Sequence, residues 1–250
     1  MEDLILPPQS DSISFQDKTD EFGMSFNPKD ISNQMIYLLN NHPHPCHIRD
    51  KTSHYLYMNL AMRELLNLPK GVPIEEKGLS EIKPDMKGFF EGLSQQEKGV
   101  IQKQTSVSLL ITEHFGKDHR IQPCIFDIHP FFNQSGQLVG TMAEARQCQF
   151  FSPLEYIQGK SPKTLTTQLP NTMFTQRELE LIFYFYHTVS QREVDEVLNL
   201  SHRTVDNKLR GIDEKMGVLN QEGFKKYIEE RGLNKFIPDH LLTSSIKLID

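Results

Sequence analysis

Apolar positions recur along the chain with two different periods, and the change of period divides it into segments of different structure. Residues 1–29 carry only scattered apolar positions among Ser, Asp and Pro and are expected to form a flexible arm. From Asp30, placed as an N-cap, the residues Ile31, Met35, Ile36, Leu38 and Leu39 return at helical spacing. That helix must stop at His42-Pro43-His44-Pro45, because proline excludes the preceding residue from helical geometry. Residues 46–49 and 55–59 read as short strands joined by the polar turn Asp50-Lys51-Thr52-Ser53. Residues 60–68 look helical, stopped by Pro69 and Gly71, and 72–99, interrupted by Pro and Gly, predict short helices. Segments 106–115, 120–132 and 137–146 predict strands, turned at Gly116-Lys117-Asp118 and at Asn133-Gln134-Ser135-Gly136. The order implies an antiparallel sheet with helices against one face.

Residues 152–170, with Pro153, Gly159, Pro162 and Pro170 among Ser, Thr and Lys, read as a linker. Beyond them the period is helical throughout. Thr175-Gln176-Arg177-Glu178 forms a capping box before Leu179, Ile182, Phe183 and Tyr186. Ser190-Gln191-Arg192-Glu193 forms a second, before a helix expected to bury Val194, Val197 and Leu198. Asn199-Leu200 makes a short turn and Ser201 caps a third helix, so this pair is a helix-turn-helix candidate. A fourth helix over 220–231 carries Phe224, Tyr227 and Ile228 on one face and ends at Gly232.

Projected at 100° per residue, the third helix places Val205, Leu209, Ile212 and Met216 on a core-facing stripe. Opposite lie Arg203, Asn207, Arg210 and Glu214, flanked by Thr204 and Gly211 on one side and Asp206 on the other, with Lys208 nearer the buried border. Arg matches the two acceptors of guanine and Asn the donor–acceptor edge of adenine. Thr204 is placed to touch a phosphate or a thymine methyl, and Lys208 and Arg210 have the reach to grip phosphates. Arg192 and Lys215 complete the set of candidate DNA-binding residues. The same capping boxes and stripes would also fit a small helical bundle used for protein contacts.

The string from Phe174 through Val218 resembles the LuxR-type DNA-binding domain. It matches at Thr175 to Glu178, Glu180, Ser190, Glu193-Val194, Leu198, Ser201, Thr204-Val205, Ile212, Lys215 and Gly217-Val218. It departs from that pattern at Thr188, where a glycine is usual, at Asp195, where a small residue packs, and at Lys208, where a histidine is common. The first two departures loosen the expected turn and the third alters DNA contacts. In that family the last helix commonly forms the dimer contact; packing on the first helix would use the same stripe. Residues 34–148 resemble a PAS sensor domain, through a strand pair around an aspartate turn and a closing hairpin with Gly136 and Gly140. The receiver-linked and acyl-homoserine-lactone relatives fit poorly: the acidic pattern of a receiver is lacking, and the lactone sensors use tryptophan, of which there is none.

Composition changes the picture in a few respects. With 250 residues, 37 % hydrophobic and 24 % charged, the chain fits one large domain or two ordinary ones and can bury at least one sizeable core. A net charge of −6 argues against a general nucleic-acid coat and confines any DNA-reading face to a compact patch. Cys46, Cys124 and Cys148 lack CxxC spacing and read as reduced, mostly buried thiols. No signal peptide or membrane-length apolar run is apparent, so a cytoplasmic protein is expected. His42, His44, Cys46 and His47 are dense in potential ligands, but three of the four are expected to face solvent and no second cluster completes a coordination set. No metal site is therefore assigned. Asp127 and His129 share a strand face, and no phosphate loop, nucleophile elbow or paired-carboxylate motif points to an enzyme.

The expected fold class is α+β with an all-helical C-terminal unit. Its divisions are an arm at 1–29, a PAS-like sensor and dimerisation domain at 30–151, a linker at 152–170, a LuxR-type domain at 171–235 and a tail at 236–250. The expected function is sequence-specific DNA binding for transcription control. The expected partners are double-stranded DNA, a second copy of the chain and RNA polymerase; no cofactor is assigned beyond a small-molecule ligand of unassigned chemistry. The rival is a PAS-based interaction module whose degenerate helix-turn-helix recruits or titrates another regulator; a haem or flavin redox sensor is a third reading.

Overall fold

The alternating segments become strands close to the expected limits: β1 (Cys46–Asp50), β2 (Tyr55–Met58), β3 (Val107–Phe115), β4 (Arg120–Phe132) and β5 (Leu138–Gln147). The computed structural model describes residues 31–69, 71–74, 77–150, 157, 163–167, 173–187 and 191–249. The expected arm, the Asp30 cap, most of the linker, Thr188 and Ser190 lie outside the described residues. Helices α1 (Asn33–Asn40), α2 (Leu60–Leu65), α3 (Leu79–Ile82) and α4 (Lys87–Lys103) accompany the strands. The cap of α1 is Ser32 and not the expected Asp30, the Ser32 hydroxyl accepting from the Met35 N–H at 3.3 Å.

A further strand, β8 (Ser245–Ile249), completes a six-stranded antiparallel sheet in the order β2-β1-β5-β4-β3-β8; β6 (Gln149–Phe150) and β7 (Lys163–Thr164) form a separate small pair. The sequence predicts a tail over 236–250, and β8 corrects it. Only docking on the open edge of β3, from Ser108 opposite Ile249 to Thr112 opposite Ser245, gives its last residues a strand to join. Ile246 packs against the core there, and its Cδ1 lies 3.1 Å from where a Cβ on Gly92 of α4 would stand. The two prolines of β4 are tolerated because each sits where only one neighbour is paired. Pro123 lies beyond the last β5 partner, and Pro130 beyond the last β3 partner.

α4 corrects the expectation of only short helices over 72–99. It runs unbroken through Gly88, Gly92 and Gly99, because Phe90, Leu93 and Val100 bury one face against the sheet. A second correction concerns the layers. α4 covers one sheet face, but α1 covers the other at β1 and β2, where Ile31 and Leu39 pack with Cys46, Ile48 and Tyr57. Leu38, expected on that buried stripe, is exposed.

The α4 side of β1 carries charge into the core. Arg49 donates to Glu97 at 3.0 Å and to the Tyr55 hydroxyl at 2.6 Å, and Ser53 donates to Glu97 at 3.0 Å, all buried. Burial alone would raise the Glu97 carboxyl, but Arg49, with His47 and Ser53, holds it below the usual range. His47, fully buried with its Nε2 3.8 Å from Glu97, is pushed by that burial down to about 4 and is neutral. Breaking such a pair strands a buried charge, so the network fixes how α4 registers on β1.

Cys46, Cys124 and Cys148 are buried free thiols, and burial pushes Cys46 and Cys124 up to about 12. Cys46 and His47 are buried, His42 is half-buried and His44 exposed, so fewer of this quartet face solvent than expected. Among the described residues, no helix is long and apolar enough to cross a membrane.

Candidate nucleic-acid interface

After the sheet, the chain forms α5 (Gln176–His187), α6 (Gln191–Leu198), α7 (His202–Met216) and α8 (Gln221–Glu230). The capping box at α5 closes as read from the sequence. Glu178 accepts from the Thr175 N–H at 2.9 Å, and the Thr175 hydroxyl accepts from the Glu178 N–H at 3.3 Å. The core of this unit gathers Leu179, Leu181 and Ile182 from α5, Val194 from α6, and Val205, Leu209, Ile212 and Met216 from α7. Leu181 was not expected there. Val197, expected to be buried, is 56 % exposed; Val194, with the half-buried Leu198, makes the α6 contact with the core.

The turn between α6 and α7 is tight despite the departure at Asp195. Asn199 takes the left-handed region at φ 50°, a conformation asparagine tolerates better than most residues. Its N–H donates to the Glu196 carbonyl at 3.3 Å, and the Leu200 N–H donates to the Asp195 carbonyl at 3.0 Å. These paired bonds are a Schellman closure, which satisfies two carbonyls at the end of α6. Ser201 then accepts from the Thr204 N–H at 3.2 Å and opens α7. The Asp195 carboxylate, instead of loosening the turn, reaches forward to His202 at 2.8 Å. His202 also lies 3.6 Å from Asp206. The hydrogen bond to Asp195, and then the charge of Asp206, raise His202 above its ordinary value of 6.5.

α7 buries its apolar stripe as projected and leaves Arg203, Asn207, Lys208, Arg210 and Glu214 exposed. None of the ion pairs or hydrogen bonds within the described residues engages Arg203, Asn207, Lys208 or Arg210. Arg203, Asn207 and Arg210 therefore project as one exposed stripe, with Lys208 exposed nearer the buried border, so three of the four side chains are cationic. That is the chemistry needed to span base edges and phosphates in a major groove. Thr204 is half-buried, its hydroxyl 2.7 Å from Ser201, so it serves the helix cap as well as the helix edge. Arg192 is exposed on α6, 3.1 Å from Glu196 one turn on. Lys215 stands apart from the set: it donates to both Glu178 oxygens, at 2.7 and 2.9 Å, and ties the end of α7 to the start of α5. His202 was missed, because nothing in the local sequence shows that the turn brings it against Asp195.

The stripe on α8 is spent inside the unit. Phe224 and Ile228 are buried, with Phe224 edge-on to Phe185 at 5.1 Å, and Tyr186 donates to Glu229 at 3.1 Å. Packing on α5, the alternative to a dimer contact, therefore accounts for those residues. α7 ends in a second Schellman closure at Gly217, φ 69°, with bonds to Glu214 and Asp213.

No family model matches the sequence, and no curated protein matches it. Solved structures do. The chain is similar to VqmA of Vibrio cholera in a ligand–DNA complex, at 21 % identity and a TM-score of 0.66, over 89 % of this chain and 99 % of that one. It is similar to a phage VqmA in complex with DPO, at 19 % identity and a TM-score of 0.53, over 86 % of this chain and 96 % of that one. The chain thus has the fold of those proteins along nearly its whole length, an antiparallel α+β unit followed by a helical one.

Proposed function

We propose that the chain is a sequence-specific DNA-binding transcription regulator that reads the major groove with α7. The observation that carries this is the exposed Arg203, Asn207, Lys208 and Arg210 on a helix whose other face is locked into a core. The likeness to a VqmA bound to both ligand and DNA supports it. Arg203 and Asn207 take the base-reading roles. Lys208, Arg210 and, from α6, Arg192 take phosphate contacts, and Thr204 a contact at the helix start.

The chain works in the cytoplasm as a homodimer, since one such unit covers little DNA and two half-sites multiply affinity. RNA polymerase is its further partner. The sheet unit at 30–151 senses a small molecule and shifts the population of competent dimers, and 171–235 docks on DNA. A groove of about 1050 Å³ lined by residues including Leu60, Arg63, Leu65, Gln122, Cys124 and Arg146 is the place offered for that molecule. The interaction-module reading rests on the acidic Asp206 and on the departures at Thr188 and Asp195; of these, Asp195 is taken up by its hydrogen bond to His202.

The test is fluorescence anisotropy of the full-length chain against a pool of promoter fragments at two salt concentrations. Selective binding that weakens steeply with salt is expected. Binding that is absent or indifferent to sequence, in the full chain and in residues 171–250 alike, would overturn the reading.

A further inference from the structure

The turn between α1 and β1 and the neighbouring strand β5 bring together ligand atoms that the sequence leaves far apart. His42, Cys46 and Glu144 each offer one such atom, and the three lie within 4.8 Å of one another. Cys46 and Glu144 stand directly opposite in the antiparallel β1–β5 ladder, so their side chains share a sheet face. His42 Nδ1 is 3.5 Å from Cys46 Sγ. A tetrahedral zinc ion with ordinary Zn–N and Zn–S bonds separates those two ligands by about 3.5 Å, so this edge of the polyhedron is already set.

The surroundings hold the group in place. Asn59 accepts from the Cys46 N–H at 2.9 Å and donates to the carbonyls of Leu39 at 3.2 Å and His44 at 2.8 Å, pinning both ends of the turn. Pro43 and Pro45 stiffen the chain between the two ligands from the turn. His44 Nδ1 lies 2.5 Å from Glu144 Oε1 and orients that carboxylate, as outer partners commonly orient metal ligands. The bonds an ion would replace at His42 Nδ1 are long: the His44 N–H donates to it at 3.3 Å, and Cys46 Sγ lies 3.5 Å away.

We propose that His42, Cys46 and Glu144 form a binding site for a first-row divalent cation of the zinc class. Imidazole, thiolate and carboxylate make a mixed set suited to such an ion, and calcium or magnesium would not accept the sulfur. The fourth position is open to water, and the bound ion joins the end of α1 to the edge of both strands. Binding releases the Cys46 proton.

The test uses the full-length chain, stripped with a chelator and titrated with Co²⁺, a spectroscopic stand-in for zinc. One ion per chain is expected, with a thiolate-to-cobalt charge-transfer band that Zn²⁺ abolishes by displacement. Cys46→Ser and His42→Ala should lose the band, while Cys124→Ser and Cys148→Ser keep it. His44→Ala should weaken binding by about tenfold or more, as loss of an orienting partner does. His42 is half-buried on the turn, so its alanine variant carries the test even where Cys46→Ser fails to fold. Absence of binding, or a cobalt spectrum without the thiolate band, or a band that survives His42→Ala, would overturn the proposal.

Discussion

Asp195 and His202 hold each other across the turn between α6 and α7, Oδ2 to Nδ1 at 2.8 Å, with Asp206 3.6 Å from the other ring nitrogen. The contact is exposed on the His202 side, yet it sets the charge beside the DNA-reading face. Protonated, His202 offsets two carboxylates that would otherwise repel phosphate. Its folded value lies above 6.5, so the stabilisation is fully present below 6.5 and is lost as pH rises through that raised value. DNA affinity, measured by anisotropy at fixed salt, should therefore be tighter near about pH 6 than near about pH 8. His202→Gln should flatten the dependence; an unchanged pH profile in that variant would refute the role.

Lys215 is predicted to act on stability. Its double contact with Glu178 joins the ends of two helices, but both groups are partly solvated, so the pair contributes about 0.5–1 kcal/mol after screening. Lys215→Ala should lower the unfolding midpoint of the helical unit slightly and leave DNA affinity at the wild-type value. A variant with normal stability and weakened DNA binding would place Lys215 on phosphate instead.

His47 gives the sheet unit an acid limb. Its folded value of about 4 lies below the ordinary 6.5, so the unfolded chain binds the proton first. Stability thus rises with pH across that window and is lost on acidification, by on the order of 3 kcal/mol at its lower end. Glu97, held below its ordinary 4.5, adds its own loss as pH falls below 4.5. Urea unfolding across this range should show the slope in the wild type and a shallower one in His47→Leu. Identical slopes would contradict the assignment.

Gly140 is required by the approach of β1. A Cβ there would stand 1.9 Å from the Arg49 carbonyl oxygen, a backbone atom that cannot move without breaking the β1–β5 pairing. Gly140→Ala should cost about 3 kcal/mol or more. Gly136, at φ 76° with open space around it, should cost only about 1 kcal/mol on the same change. Thermal unfolding of both variants distinguishes the two causes, and equal costs would refute the close-approach account.

What was legible in the sequence was whatever local pattern decides. β3, β4 and β5 alternate and are bounded by turn residues, and α7 reveals its buried and exposed faces by projection alone. α4 was hidden because three glycines outweigh, in local propensity, the burial of Phe90, Leu93 and Val100 that stabilises it. β8 was hidden because a strand of five residues carries little signal without the β3 edge it joins. Of the candidate site, the exposed cations and Asn207 were readable. The clamp at His202 and the capture of Lys215 by Glu178 were not, since both depend on where turns bring distant residues. The same holds for Glu144, which only strand register places beside Cys46.

Whether α7 reads bases is decided by Arg203→Ala. Both proteins would be titrated by anisotropy against a promoter fragment selected by the full-length chain and against the same fragment with its guanines exchanged in turn. A loss of about 1–3 kcal/mol on the selected fragment, with preference relaxed at one guanine position, is the expected result. Wild-type affinity and wild-type preference in the variant would contradict it.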